Sequence, residues 1–131
     1  LSPPLIFGEP ATLVRDSVNR IDNATSLTNA ETGQPWTATS GTWGVTGRQA
    51  YLNESSSGAR KSARVDAGGA DVIIETDLIF GTGENGELIG RQSDNDNYLL
   101  AGADRSGLAF IGKYEAMAFS SLDSVAFTWT A

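Results

Sequence analysis

The chain has 131 residues, 40% of them hydrophobic, with 9 Lys and Arg against 16 Asp and Glu, a net charge of −7 and a pI near 4.4. That is one domain by length, too apolar for a disordered chain, and no stretch approaches the ~20 apolar residues of a membrane helix, so membrane insertion is not expected. The acidic balance argues against nucleic acid as a partner, and the absence of Cys and His removes disulfides, thiolate nucleophiles, Ser-His-Asp chemistry and the usual zinc sites.

In chain order, residues 1–14 come first. Leu1 is not an initiator methionine, so a chain that is processed, excised or only part of a longer one is expected, and the start lacks the basic region and long apolar core of a secretory signal. Pro3, Pro4 and Pro10 favour an extended arm. Leu5, Ile6 and Phe7 are too apolar for a free tail, so the arm is expected either to pack on this domain or to dock on a neighbouring subunit.

From Arg15 onward the period is two. In 71–80 the even positions carry Val72, Ile74, Thr76, Leu78 and Phe80, and the odd ones include Asp71, Glu75 and Asp77, which predicts a strand with one buried and one wet face. Val125, Phe127 and Trp129 repeat the alternation near the end. Further strands are predicted at 44–45, 50–53, 63–66, 88–92, 98–103, 108–113 and 116–119. Asn85-Gly86 reads as a type I′ hairpin turn and Asp104-Arg105-Ser106-Gly107 as another short connection. Arg60, Lys61 and Arg64 form the basic cluster, read as a solvated strand edge. Short strands at about ten-residue spacing with Gly-rich turns indicate an all-β, antiparallel two-sheet sandwich over residues 15–131.

Four segments give this pattern a more particular look: Asp16-Ser17-Val18-Asn19-Arg20, Thr32-Gly33-Gln34-Pro35-Trp36, Ser40-Gly41-Thr42-Trp43-Gly44-Val45 and Ala50-Tyr51-Leu52. Two more follow, Ile89-Gly90-Arg91-Gln92-Ser93-Asp94-Asn95-Asp96-Asn97-Tyr98-Leu99-Leu100 and Gly107-Leu108-Ala109-Phe110-Ile111. In order and spacing they resemble the concanavalin A-like, or laminin G-like, jelly roll, over about residues 16–114. The resemblance implies a two-sheet jelly roll of the kind appended to bacteriophage minor tail proteins and to bacterial surface proteins, hence a virion or extracellular location. The family usually continues with further strands where this chain stops at Ala131, so the expectation is an abbreviated fold, a chain that is part of a longer polypeptide, or a missing strand supplied by another chain; an open sheet edge would otherwise invite pairing, which points to assembly.

Four constellations are candidates for chemistry. Glu75-Thr76-Asp77 resembles part of the Glu-x-Asp-x-x-Glu strand of laminarinase-type hydrolases on this fold, but Phe80 occupies the place of the last Glu, and a wet strand face accounts for the two carboxylates. No catalytic residue is therefore assigned and no enzyme is expected. Asp94-Asn95-Asp96-Asn97 puts four oxygen-bearing side chains in a row, as a ligand-binding rim or, through Asp94 and Asp96, a calcium site; Asx residues also form such turns by capping their own backbone. Asp16, Asp22 and Asn23 share the calcium reading by resemblance to rim sites of laminin G-like folds. No other cofactor is expected.

Among the aromatic residues, Trp43, Tyr98 and Trp129 are read as core, whereas Trp36 follows Gly33-Gln34-Pro35 at a loop exit and is the ring expected to reach solvent and stack on a sugar. Arg20 and Arg91 are read as buried arginines bridging the sheets, with Asp16 as the partner of Arg20. Two functions follow. One is a non-catalytic carbohydrate-binding or adhesion module that recognises host-surface glycan. The other is a structural virion protein, a capsid or tail decoration, that contacts other subunits as a homo-oligomer or within a larger assembly.

Overall fold

The computed structural model describes residues 13–54, 60–69, 71–80 and 85–128. Most of the proline-rich arm, including Leu5, Ile6 and Phe7, lies outside those residues, as does Trp129. Every regular element among the described residues is a β-strand and every pairing is antiparallel. By contact the chain clusters into two compact units, Leu1–Gly69 and Ala70–Ala131, each described here by itself.

The first unit holds β1 (Trp36–Ser40), β2 (Trp43–Thr46), β3 (Gln49–Leu52) and β4 (Ser62–Val65). β2 and β3 form a hairpin, Trp43 opposite Leu52 and Thr46 opposite Gln49. Its turn is Gly47-Arg48, with φ of 54° and 65°, the left-handed pair that matches the twist of a two-residue hairpin. Asp22 caps this turn, accepting the Gly47 N–H at 3.0 Å and the Thr46 hydroxyl at 3.2 Å. β1 pairs with β4 and bulges between Ala38 and Ser40.

Residues 13–35 form no ladder of strand length yet are tied down throughout. Asn23 and Val45 exchange backbone hydrogen bonds of 2.9 and 2.7 Å. The Asn23 side chain accepts the N–H groups of Thr25 and Ser26. Where this segment crosses β2 the backbones nearly touch: a Cβ at Gly44 would lie 2.5 Å from the Asn23 carbonyl oxygen, so only glycine fits. Val45, 1% exposed, is the centre of the core here, with Leu27 and Ala30 also buried.

The second unit is a four-stranded meander in the order β5 (Asn85–Asp94), β6 (Asn97–Asp104), β7 (Leu108–Glu115), β8 (Ala118–Ala126). Directly opposed residues build one aromatic row across it: Tyr98 on β6 faces Tyr114 on β7, which faces Phe119 on β8. The tyrosine rings stack at 5.0 Å and 7°, and Tyr114 and Phe119 are 5.9 Å apart, distances at which ring pairs attract beyond their area burial. Phe119 also lies over Gly112, where a Cβ would come within 2.5 Å of its ring. Tyr98 and Leu100 are the buried large hydrophobic residues among those described in this sheet, 8% and 4% exposed.

Three expectations need correction. Residues 71–80 form no strand. Their alternation is nonetheless real, since Val72, Ile74 and Leu78 (37%, 43% and 39% exposed) are better covered than Ile73 and Ile79 (78% and 72%). Leu78 and Ile74 pack side chain first over β5, within 3.2 Å and 3.5 Å of where Gly86 and Gly90 would carry a Cβ, so the period records packing on a sheet face without backbone pairing. Asn85-Gly86 is not a turn but the start of β5; its glycine is the residue that lets Leu78 and Phe80 approach. The turn between β7 and β8 is Ala116-Met117, with φ of 49° and 67°, placed where the sequence predicts strand from 116.

Candidate functional site

The site begins with Asp16. Its carboxylate is 5% exposed and receives both ends of the Arg20 guanidinium at 2.8 Å each, the fork-on-carboxylate geometry that makes such pairs strong. The Val18 N–H adds a third donor at 3.0 Å, and the Trp36 indole Nε1 a fourth at 2.6 Å. Burial by itself disfavours the ionised carboxylate, but the bonds from Arg20, Val18 and Trp36 and the charge of Arg20 outweigh it and hold the pKa below the ordinary 3.8. Arg20 is correspondingly raised, first by its bond to Asp16.

The same strand of contacts continues along 13–17. Gln34 Nε2 donates to the Leu13 carbonyl at 2.9 Å, the Arg15 N–H to Thr32 Oγ1 at 3.1 Å, and Arg15 Nε to Glu31 at 3.2 Å, while the Ser17 hydroxyl also donates to Glu31. The segment before β1 is therefore sewn to the loop that delivers Trp36.

Trp36 opens β1 and Trp43 opens β2, and both are half-buried. With Thr25, Ser26, Leu27 and Ala38 they line a hollow of about 200 Å³. Both indole N–H groups point away into the protein framework, Trp36 to Asp16 and Trp43 to the Ser40 carbonyl at 3.0 Å. The two tryptophans contribute to a lining that is more polar than apolar. Its polar rim comes from Ser26, whose oxygen accepts the Thr28 N–H at 3.0 Å and keeps its own hydrogen to donate, and Thr25, whose hydroxyl leans to Asn23 at 3.4 Å. No ionisable side chain lines the hollow.

In the Asp94–Asn97 turn the Asp94 carboxylate accepts hydrogen bonds from the turn itself. Asp94 accepts the Asp96 N–H at 2.8 Å and both its oxygens take the Asn97 amide at 2.8 and 2.9 Å; the Asn97 amide bond first, then Asp96, lower its pKa. The Asn97 side-chain Oδ1 then accepts the Ala116 N–H at 3.2 Å, linking the β5–β6 turn to the β7–β8 turn. Asn95 and Asp96 are exposed at its tip. Among the described residues no group of three or more acidic, His or Cys side chains is placed to hold a metal.

No family model, curated protein or solved structure matches this chain.

Glu75, Asp77 and Arg91 are not among the residues that line the hollow. Glu75 and Asp77 are exposed on the segment beside β5. Arg91 is no buried bridge: it is 57% exposed, sits at φ 47° in the bulge between Gly90 and Asp94, and pairs with Asp71. Trp43 is half-buried, with one side in the framework and one in the hollow. Thr25, Ser26 and Ala38 carried no sequence signal as site residues; only the turn made by Asn23 and the bridge to Val45 bring the first two beside the tryptophans.

Proposed function

We propose that this chain is a non-catalytic, carbohydrate-binding β-sandwich module of the concanavalin A-like jelly-roll kind, carried on a virion or comparable extracellular surface and serving adhesion to host glycan. The hollow between Trp36 and Trp43 carries the reading. It sets Trp36 and Trp43 beside the Thr25 and Ser26 hydroxyls in an uncharged, mainly polar lining, side chains of the kinds that contact the ring and hydroxyl edge of a sugar. The antiparallel all-β architecture and the order of motifs over residues 16–114 support the jelly-roll assignment.

A glycan array probed with the full chain tests it, using Ala38→Phe as the control. Ala38 is exposed on β1 and lines the hollow, so a larger side chain fills the hollow without entering the core. Saturable binding to an envelope glycan that disappears in Ala38→Phe supports the module reading, and an array blank for the wild-type chain refutes it.

One observation favours a structural virion role through protein–protein contacts. All nine residues of β8 are exposed, Leu122 and Val125 among them at 57% and 64%, on an edge strand with no further partner among the described residues. Sedimentation velocity across a concentration series distinguishes the two: a stable oligomer lost on Val125→Lys, together with a blank array, establishes the assembly role.

A further inference from the structure

Resting on the carbohydrate reading, we infer that the hollow takes a single, uncharged pyranose ring, as a terminal residue or a free monosaccharide, and takes it without calcium. Three features of the hollow lead there. Its volume of about 200 Å³ is below the roughly 300–1,000 Å³ of sites that enclose drug-sized ligands, which is room for one ring and not for a chain of them. Its lining of Thr25, Ser26, Leu27, Trp36, Ala38 and Trp43 contains no cation to answer a carboxylate or sulfate and no carboxylate to answer an amine or a bridging metal. A charged group moved into it would lose water and gain no partner, which is the costly case in desolvation.

The Asp16–Arg20 pair and the net charge of the chain reinforce this selectivity. Asp16, on the far side of the Trp36 Nε1 bond, is neutralised by the two bonds from Arg20, so the pair offers no net charge to a ligand. The whole chain, at −7, repels anionic sugars as they approach. With both indole N–H groups committed elsewhere, polar recognition falls to one hydroxyl donor at Ser26 and the lone pairs of Thr25. That complement suits neutral hydroxyl groups, with Trp36 and Trp43 the aromatic side chains at hand for ring contact.

Tryptophan fluorescence titration of the full chain tests the inference with matched probes. The neutral probes are the methyl pyranosides of glucose, galactose, mannose and N-acetylglucosamine. The charged probes are glucuronate, galacturonate and N-acetylneuraminate, and every titration is run with and without chelator. The expected result is saturable quenching by at least one neutral ring, at least tenfold weaker response to its charged counterpart, no effect of chelator, and loss of the response in Ala38→Phe. A second variant, Thr25→Lys, puts a cation on the rim and is expected to narrow the gap between glucose and glucuronate at least threefold. Binding blocked by Ala38→Phe but stronger for a charged sugar, abolished by chelator, or confined to oligosaccharides overturns this inference while leaving the carbohydrate reading intact. Sugar binding unaffected by Ala38→Phe places recognition elsewhere and also overturns it. Silence from every sugar, charged, neutral or oligomeric, brings down the carbohydrate reading itself.

Discussion

Asp16 joins two roles that are usually held by different residues: it anchors the segment entering the fold and it fixes one wall of the hollow. Replacing Arg20 by Ala strands a mostly buried carboxylate, and removing one partner of such a pair costs on the order of 3 kcal/mol, so a marked fall in the urea midpoint is expected. Arg20→Lys should recover only part of it, because an ammonium cannot span both carboxylate oxygens as the guanidinium does. The pH dependence has a definite sign. A carboxyl whose folded pKa lies below its unfolded value stabilises the fold above the unfolded pKa, and that stability is lost as pH falls through the folded value. For Asp16 the window lies on the acid side of 3.8. Urea titrations there should show the wild-type chain losing more stability on acidification than Asp16→Asn, which starts lower and changes less. Gly44→Ala meets the Asn23 carbonyl at 2.5 Å and is expected to cost about 1–3 kcal/mol through the backbone shift it forces.

Among the elements, hairpin turns divide the legible from the illegible. Asp104–Gly107 sits between β6 and β7 as its chemistry suggests. Ala116-Met117 holds two left-handed residues with neither glycine nor asparagine, so nothing in the sequence marked it, while the true Asn-Gly dipeptide serves β5 as a close-packing position. The unfavourable turn gives an expected outcome: Ala116→Asn with Met117→Gly should raise stability by about 1 kcal/mol, read as an increase in Tm, because those residues adopt φ > 0 at lower cost. Period two was a sound guide to which residues are covered and a weaker one to which backbones pair, as 71–80 shows. β1 was missed because its first residue followed Gly33-Gln34-Pro35 and its remainder, Thr37-Ala38-Thr39-Ser40, has no apolar alternation. The pairing of Arg20 with Asp16 was legible from charge and a four-residue spacing; Thr25 and Ser26 were not, since tertiary crossing alone brings them to the tryptophans. β8 bulges at Leu122, between the partners of Ile111 and Gly112, and a bulge twists an edge away from regular strand addition. Deleting Leu122 restores an even register and is expected to increase self-association, visible by light scattering.

At the scale of the whole molecule, charge and recognition separate. The chain carries −7 while the hollow lining carries none. Affinity for a neutral sugar should therefore be flat between low and physiological ionic strength, whereas any weak response to an acidic sugar should strengthen as salt screens the repulsion. A parallel titration series in increasing sodium chloride checks both.

The 2.6 Å bond from Trp36 Nε1 to a buried carboxylate has a spectroscopic consequence. An indole proton held by an anion and shielded from water resonates far downfield and exchanges slowly with solvent. In a nitrogen-15 spectrum it becomes a private signal for the joint between frame and hollow: acid that protonates Asp16 will move it, and a ring stacking on the other side of Trp36 will move it in a separate titration. One peak then reports, on the same sample, whether the joint is intact and whether the hollow is filled.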